Sequence, residues 1–339
     1  MLSGSAKPSQ RSFAFAQRPP GLSGRWHVAE EAIMGTAVRV ELWSGERSAG
    51  DAAVVSVMGE MHRIDRAMSP HKPTSELSRI NRDAGRGPVP VSDEMLRLLQ
   101  RAAHFSALSG GAFDISYASA GQLYDYREGV QPGAQALAQA CTAIGWRGVE
   151  LDTDARTVRF ARPGMRIDLG GFAKGHAVDN CAALLRRRGI AHAMVSAGGD
   201  SRVIGDRRGR PWTVAIRDPR RAGEVVAVLP LEDTAISTSG DYERFFERDG
   251  VRCHHLIDPA TGRSPSSVHS VTILGPDGLT TEGLSKSVFV LGVDKGLQLV
   301  ESQVGVDAVI VDAQGALHFS SGLLCANAQP QAAHTPTRQ

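Results

Sequence analysis

The densest chemistry in this sequence is the run Asp168-Leu-Gly-Gly-Phe-Ala-Lys-Gly-His-Ala-Val-Asp179. Glycines let a main chain come close to a ligand, a helix start offers unpaired N–H groups and partial positive charge, and Lys174 adds a full charge in the first turn. That combination suits a phosphate. Taken alone it also fits an ordinary glycine turn with a solvated lysine. The Gly-x-Gly-x-x-Gly spacing is absent, so a Rossmann dinucleotide site is not expected. A second polar concentration is Thr238-Ser-Gly-Asp-Tyr242, followed by His254-His-Leu-Ile-Asp-Pro-Ala-Thr-Gly-Arg263. Hydroxyl, imidazole, carboxylate and guanidinium groups crowded into loops commonly serve a site. The paired imidazoles lack the spacing of a zinc-binding helix and have no evident third ligand. Cys141, Cys181, Cys253 and Cys325 are too scattered for a zinc site or a disulfide scaffold and fit a reducing compartment.

The elements that must position these groups are readable from periodicity. Val38, Val40 and Leu42 alternate as in a strand, and 52–68 carries Val54, Met58, Met61, Ile64 and Met68 at helical spacing. Ser92 is suited to cap a helix with Asp93 and Glu94 in its first turn, and Gly110 follows its end, delivering Gly111-Ala-Phe-Asp114. After Gly170-Gly171, residues 173–188 read as a helix stopped by Gly189. A buried strand at 193–195 then leads to Gly198-Gly-Asp200, giving a strand, glycine, helix, strand order. Strands are expected at 212–216 and 225–229, two short helices at 282–291 and 294–301 broken at Gly292, and a closing hairpin from 308–311 and 317–319.

The 339 residues, 42% hydrophobic and 22% charged, suffice for one interwoven α+β domain over 31–322, with mixed or antiparallel sheets and flanking helices. Residues 1–30 read as a disordered leader and 323–339 as a flexible tail. A net charge of +2 calls for no nucleic acid. No stretch approaches the roughly 20 apolar residues of a membrane span. No signal-peptide core or lipid-attachment cysteine is evident near the start, so a cytoplasmic protein is expected.

Seven short motifs occur in one order: Met34-Gly-Thr, Ser75-Glu-Leu-Ser-Arg-Ile-Asn81, Gly111-Ala-Phe-Asp114, Asp168-Leu-Gly-Gly-Phe-Ala-Lys-Gly175, Gly198-Gly-Asp200, Thr238-Ser-Gly-Asp-Tyr242 and His255-Leu-Ile-Asp-Pro-x-Thr-Gly262. Together they resemble the ApbE family, the FAD:protein FMN transferases, from about Met34 to Phe319. The resemblance implies a T-fold-like α+β architecture and FAD as donor. It also implies Mg²⁺ at the pyrophosphate, a flavoprotein with an exposed Ser or Thr as acceptor, and release of AMP. By the same resemblance Met34, Ala112, Phe113, Asp114, Asp168, Lys174 and Ile257 hold FAD, and Gly171 offers a backbone oxygen to the metal.

This chain departs from the family pattern at three positions. His71 stands where an aromatic, usually Tyr, is common. Glu282 and Lys286 stand where the family has an Asp and a Thr as metal ligands. Glu282 can still ligate a hard cation, whereas a protonated lysine has no lone pair to give. The expectation is therefore that the Lys286 ammonium, held by Glu282 one helical turn away, supplies positive charge directly. Lys174 and the Gly170-Gly171 amides are expected to face the phosphates, Asp168 and Asp114 to fix FAD, and His255, or its neighbour His254, to take the acceptor's proton. Two other readings share these motifs: an FAD-binding protein without activity, and an FAD pyrophosphatase that uses water.

Overall fold

A computed structural model describes residues 24–327. It opens with a hairpin of β1 (Arg25–Ile33) and β2 (Thr36–Ser44), whose two-residue turn, Met34 and Gly35, has φ of 54° and 69°. Positive φ at both turn residues matches the twist of the strands. There follow α1 (Arg47–Met68), α2 (Glu76–Asp83), β3 (Val89–Pro90), α3 (Asp93–Leu108), α4 (Ala118–Gly121), α5 (Ala134–Cys141), β4 (Val149–Asp152) and β5 (Thr157–Phe160). Next come α6 (Ala173–Arg187), β6 (Ala193–Ala197), β7 (Asp200–Ile204), β8 (Trp212–Arg217), β9 (Val225–Leu231), β10 (Ala235–Gly240), β11 (Phe245–Arg248) and β12 (Val251–His254). The chain closes with β13 (Val268–Gly275), α7 (Gly278–Glu301), β14 (Asp307–Asp312), β15 (Leu317–Phe319) and α8 (Ser321–Asn327).

Eight strands form one sheet in the order β1-β2-β6-β7-β10-β13-β14-β15. Every ladder of this sheet is antiparallel. The architecture is α+β, as expected, and the mixed sheet allowed for by the sequence reduces to an antiparallel one. Strand periodicity sorts its two faces. Val38, Val40, Leu42, Ala193, Val195 and Ala197 point into the main core beneath α1, α6 and α7, while Met194, Val203 and Ile236 meet Trp212 and Leu231 of the β8–β9 hairpin.

The N-terminal boundary needs correction. Residues 25–30, expected to belong to the leader, are strand: Trp26 stacks edge-on against Trp43 and Trp212, and His27 is buried. The periodicity of this strand is weak because Glu30 and Glu31 interrupt it, and its apolar contacts come from the distant hairpin. Residues 1–23 of the expected leader, and 328–339 of the expected tail, lie outside the described residues. Residues 323–327 continue α8.

Helices α6 and α7 cross at a glycine contact. A Cβ on Gly175 would stand 2.2 Å from the Gly278 carbonyl oxygen, which is main chain and has no rotamer to yield. Gly175→Ala is therefore expected to lower stability by about 1–3 kcal/mol through overpacking, read as a lower urea midpoint with an unchanged slope.

Candidate active site

The first part of the site is assembled by α2 and the coil entering α6. Ser75 caps α2 through the Ser78 N–H at 2.9 Å. At the other end of that helix, Asn81 donates to the Ile167 carbonyl at 2.9 Å and accepts from the Ile167 N–H at 2.8 Å. The amide therefore fixes the residue preceding Asp168. No strand precedes the glycines here, contrary to the expected grammar; the Asn81 clamp and the Asp168 N–H bond to the Ile115 carbonyl (3.0 Å) replace a ladder. Asp168 is half-buried and accepts the Gly170 N–H. Burial pushes its carboxyl up, opposed by that bond and by the charges of His71, Arg166 and Arg244.

The centre is a buried charge cluster between α6, α7 and the sheet. Lys174 Nζ donates to Asp200 Oδ2 and to Glu282 Oε1, each at 2.5 Å, and the Gly175 N–H donates to Glu282 Oε2 at 2.7 Å. Asp200 is 1% exposed and Glu282 is fully buried, so these charges exist only by mutual compensation. Burial alone would push the Asp200 carboxyl up, but Lys174 and Lys286 hold it below its ordinary value. Glu282 is pushed up by burial and by Asp200. Burial would depress Lys174, and the two carboxylates outweigh it.

Beside the triad runs a hydroxyl chain. Ser237 Oγ meets Asp200 Oδ1 at 2.5 Å and Ser285 Oγ at 3.1 Å, and Ser285 Oγ meets Ser239 Oγ at 2.9 Å. Lys286 Nζ donates to Ser239 Oγ at 2.8 Å. The expected i, i+4 pair of Glu282 with Lys286 does not form. Glu282 turns into the interior toward Lys174, while half-buried Lys286 runs past Gly171, where an added Cβ would meet its Cε at 3.3 Å. Burial lowers the Lys286 pKa, against the pull of Glu282 and Asp200. Lys174, expected to face phosphates, is instead engaged by two carboxylates.

His255 completes this edge. Its Nδ1 is buried without a hydrogen-bond partner, and burial, helped by Lys286, His254 and Arg244, pushes its pKa down to about 3. Its backbone N–H is held by the Arg244 carbonyl at 3.1 Å, and Arg244 Nη2 reaches the Gly35 carbonyl at 3.1 Å, tying in the turn that carries half-buried Met34. His254 points elsewhere: it is 2% exposed, bonds the Pro265 carbonyl through Nε2 at 2.8 Å and packs on Phe289. The geometry thus favours His255 over His254 as the imidazole of the site. Ile257 is buried near Tyr117, both flanking Gly121, and exposed His71 approaches Asp168.

The loop at 111–114, expected to hold FAD, turns its Phe113 and Asp114 side chains inward. Phe113 is 5% exposed and packs with Phe105 and Phe172 in the core. Asp114 accepts from Ser116 N–H (2.8 Å), Ser116 Oγ (2.6 Å) and Trp146 N–H (2.8 Å). Both oxygens are satisfied by protein, which leaves half-buried Ala112 and the main chain to meet a ligand. Asp114→Ala is expected to cost about 1–3 kcal/mol by stranding buried donors, visible as a lower urea midpoint with FAD affinity little changed. Loss of FAD affinity at intact stability would instead mean direct contact.

Sequence reasoning gave no role to Asp200, Ser237, Ser239 or Ser285, nor to Tyr117, whose hydroxyl is pushed well up by burial and by nearby Asp168. The Gly198-Gly-Asp200 and Thr238-Ser-Gly240 runs were the available signal for two of these, Asp200 and Ser239. For Tyr117 there was none.

An antiparallel sheet backed by helices, with paired charges, hydroxyls and one neutral imidazole gathered beside a glycine-led helix start, has the make-up of an enzyme site for a charged substrate. Comparison with known proteins narrows the class. The family model described as "ApbE family" matches residues 34–310, and the chain belongs to that family. It is 34% identical to the FAD:protein FMN transferase of Treponema pallidum over 325 residues, covering 89% of this chain and 90% of that one. It is 35% identical to the protein of the same name from Haemophilus influenzae over 250 residues, covering 70% and 72%. Among solved structures, the ApbE protein of Thermotoga maritima superposes with a TM-score of 0.83 at 31% identity, covering 89% of this chain and 99% of that one. The flavin transferase ApbE of Vibrio cholerae gives a TM-score of 0.79 at 28% identity, with 89% and 99% covered.

Proposed function

We infer that this chain is an FAD:protein FMN transferase, which moves FMN from FAD to a Ser or Thr hydroxyl of an acceptor flavoprotein and releases AMP. The observation that carries the reading is the convergence, from segments up to 108 residues apart, of Lys174, Asp200 and Glu282 in one buried cluster, with Lys286 running past Gly171 and its charge felt by His255. The acceptor oxygen bonds to the phosphorus of the FMN half, the bond from that phosphorus to the bridging oxygen breaks, and AMP leaves with the electron pair. The protein's task is alignment and charge compensation. In this reading His255 receives the hydroxyl proton and passes it to solvent. Lys286 and the Gly171 amide meet the phosphates, the Gly170 amide being held by Asp168, and Lys174 holds the two carboxylates that shape the pocket. Met34, His71, Ala112, Asp168 and Ile257 contact FAD, while Phe113 and Asp114 support the loop behind it.

Incubating the protein with FAD and a Ser/Thr-bearing flavoprotein tests this. Covalent flavin on the acceptor with equimolar AMP is expected; free FMN and AMP without labelled acceptor identifies a pyrophosphatase, and bound, unchanged FAD a binding protein. No helix among the described residues is long and apolar enough to cross a membrane.

A further inference from the structure

The family resemblance expects a divalent cation held by residues 171, 282 and 286, and the donors present do not fit one. Both oxygens of Glu282 are occupied, one by the Lys174 ammonium and the other by the Gly175 N–H, and the carboxylate is wholly buried. Position 286 carries a donor with no lone pair when charged. Its methylene stem fills the space alongside Gly171. Meanwhile Lys286 Nζ has hydroxyls, Ser239 at 2.8 Å and Ser285 at 3.4 Å, as its hydrogen-bond partners, and makes no ion pair within 4.0 Å among the described residues. A cation with only neutral partners, on a side chain that is half-buried next to two glycines, is arranged to receive an anion.

We propose that this chain transfers FMN without a divalent cation, the Lys286 ammonium meeting the pyrophosphate charge that a metal ion would otherwise meet. The inference rests on the transferase reading of the same site. The bonds made and broken are those given above. Lys286 donates hydrogen bonds to the phosphate oxygens, whose negative charge favours the ammonium over the neutral amine and offsets the depression by burial, so no further reactant is required. Ser239 and Ser285 orient the ammonium. Lys174 neutralises much of the carboxylate charge that would otherwise capture it.

The test compares metal-stripped protein in excess EDTA with the same protein in MgCl₂, reading FAD affinity by flavin fluorescence and FMN transfer by covalent flavin. Affinity and rate are expected to differ less than about twofold between the two conditions. Lys286→Ala should weaken FAD binding by about 10–100-fold, with no recovery on adding Mg²⁺. Wild-type affinity or transfer that falls tenfold or more in EDTA and returns with Mg²⁺ overturns the proposal, as does a Lys286→Ala variant that binds FAD normally. If transfer is absent under both conditions the transferase reading fails, and the metal question is still decided by the affinity comparison. The double variant E282D/K286T, which rebuilds a carboxylate and hydroxyl pair, is expected to acquire a Mg²⁺ requirement; transfer in EDTA as fast as in MgCl₂ would count against Lys286.

Discussion

Replacing Lys174 by Met should lower folding stability by about 3–5 kcal/mol, because it leaves two buried carboxylates facing one another without their cation. Asp200 and Glu282 are 1% and 0% exposed, and each is 2.5 Å from the lysine nitrogen. Methionine matches the stem in volume, so the loss isolates the charge rather than the packing. Adding Glu282→Gln to this variant keeps an acceptor for the Gly175 N–H and removes one negative charge. Part of the stability should therefore return, and the non-additivity of the two substitutions measures the coupling.

The pH dependence of that variant has a definite sign. With the lysine gone, the carboxylates' folded-state pKa values rise above their unfolded ones. The native state then binds more protons than the unfolded state in that window, and stability falls as pH rises through it. The difference in urea midpoint between wild type and Lys174→Met should therefore narrow at about pH 4.5 relative to about pH 8. A difference independent of pH would show that Lys174 acts by packing alone.

Much of this architecture was legible because it is local. Ser92 caps α3 through the Met95 N–H at 3.2 Å, and Gly292, with φ 78° and ψ −172°, breaks α7 where the sequence places a break. The hairpin β14–β15 and the strands β8 and β9 follow from alternation and turn residues. The charge cluster was legible as a set of residues and misread as a set of contacts. Spacing within one helix suggested Glu282 with Lys286, but side chains 108 residues apart won the carboxylate, since burial rewards the partner that can accompany it into the core. Patterns along a strand or helix cannot register such a pairing. The same reason hides Trp26, whose partner Trp212 comes from the separate β8–β9 hairpin packed on the sheet, and Phe113, whose ring packs on Phe105 and Phe172.

His255→Ala should leave FAD bound and slow FMN transfer by about 10²–10⁴-fold, the usual contribution of a positioned base. With a pKa pushed down to about 3, the folded-state imidazole is neutral across ordinary assay conditions; it can take the hydroxyl proton only as the bound phosphates offset the Lys286 charge and raise that value in the complex. It follows that the transfer rate should show no acid limb near the ordinary histidine value of about 6.5 arising from this residue. A limb there that vanishes in the variant would contradict the half-buried, uncharged imidazole. Stability gives an independent readout. Between the folded and unfolded values the unfolded chain binds the proton that the native state refuses, so His255 makes the protein progressively less stable as pH falls through that interval. The Ala variant should lose this part of the acid sensitivity while losing transfer. Unimpaired transfer alongside the altered acid profile would remove His255 from the chemistry and leave it a structural imidazole, like His254, whose Nε2 is held by the Pro265 carbonyl at 2.8 Å.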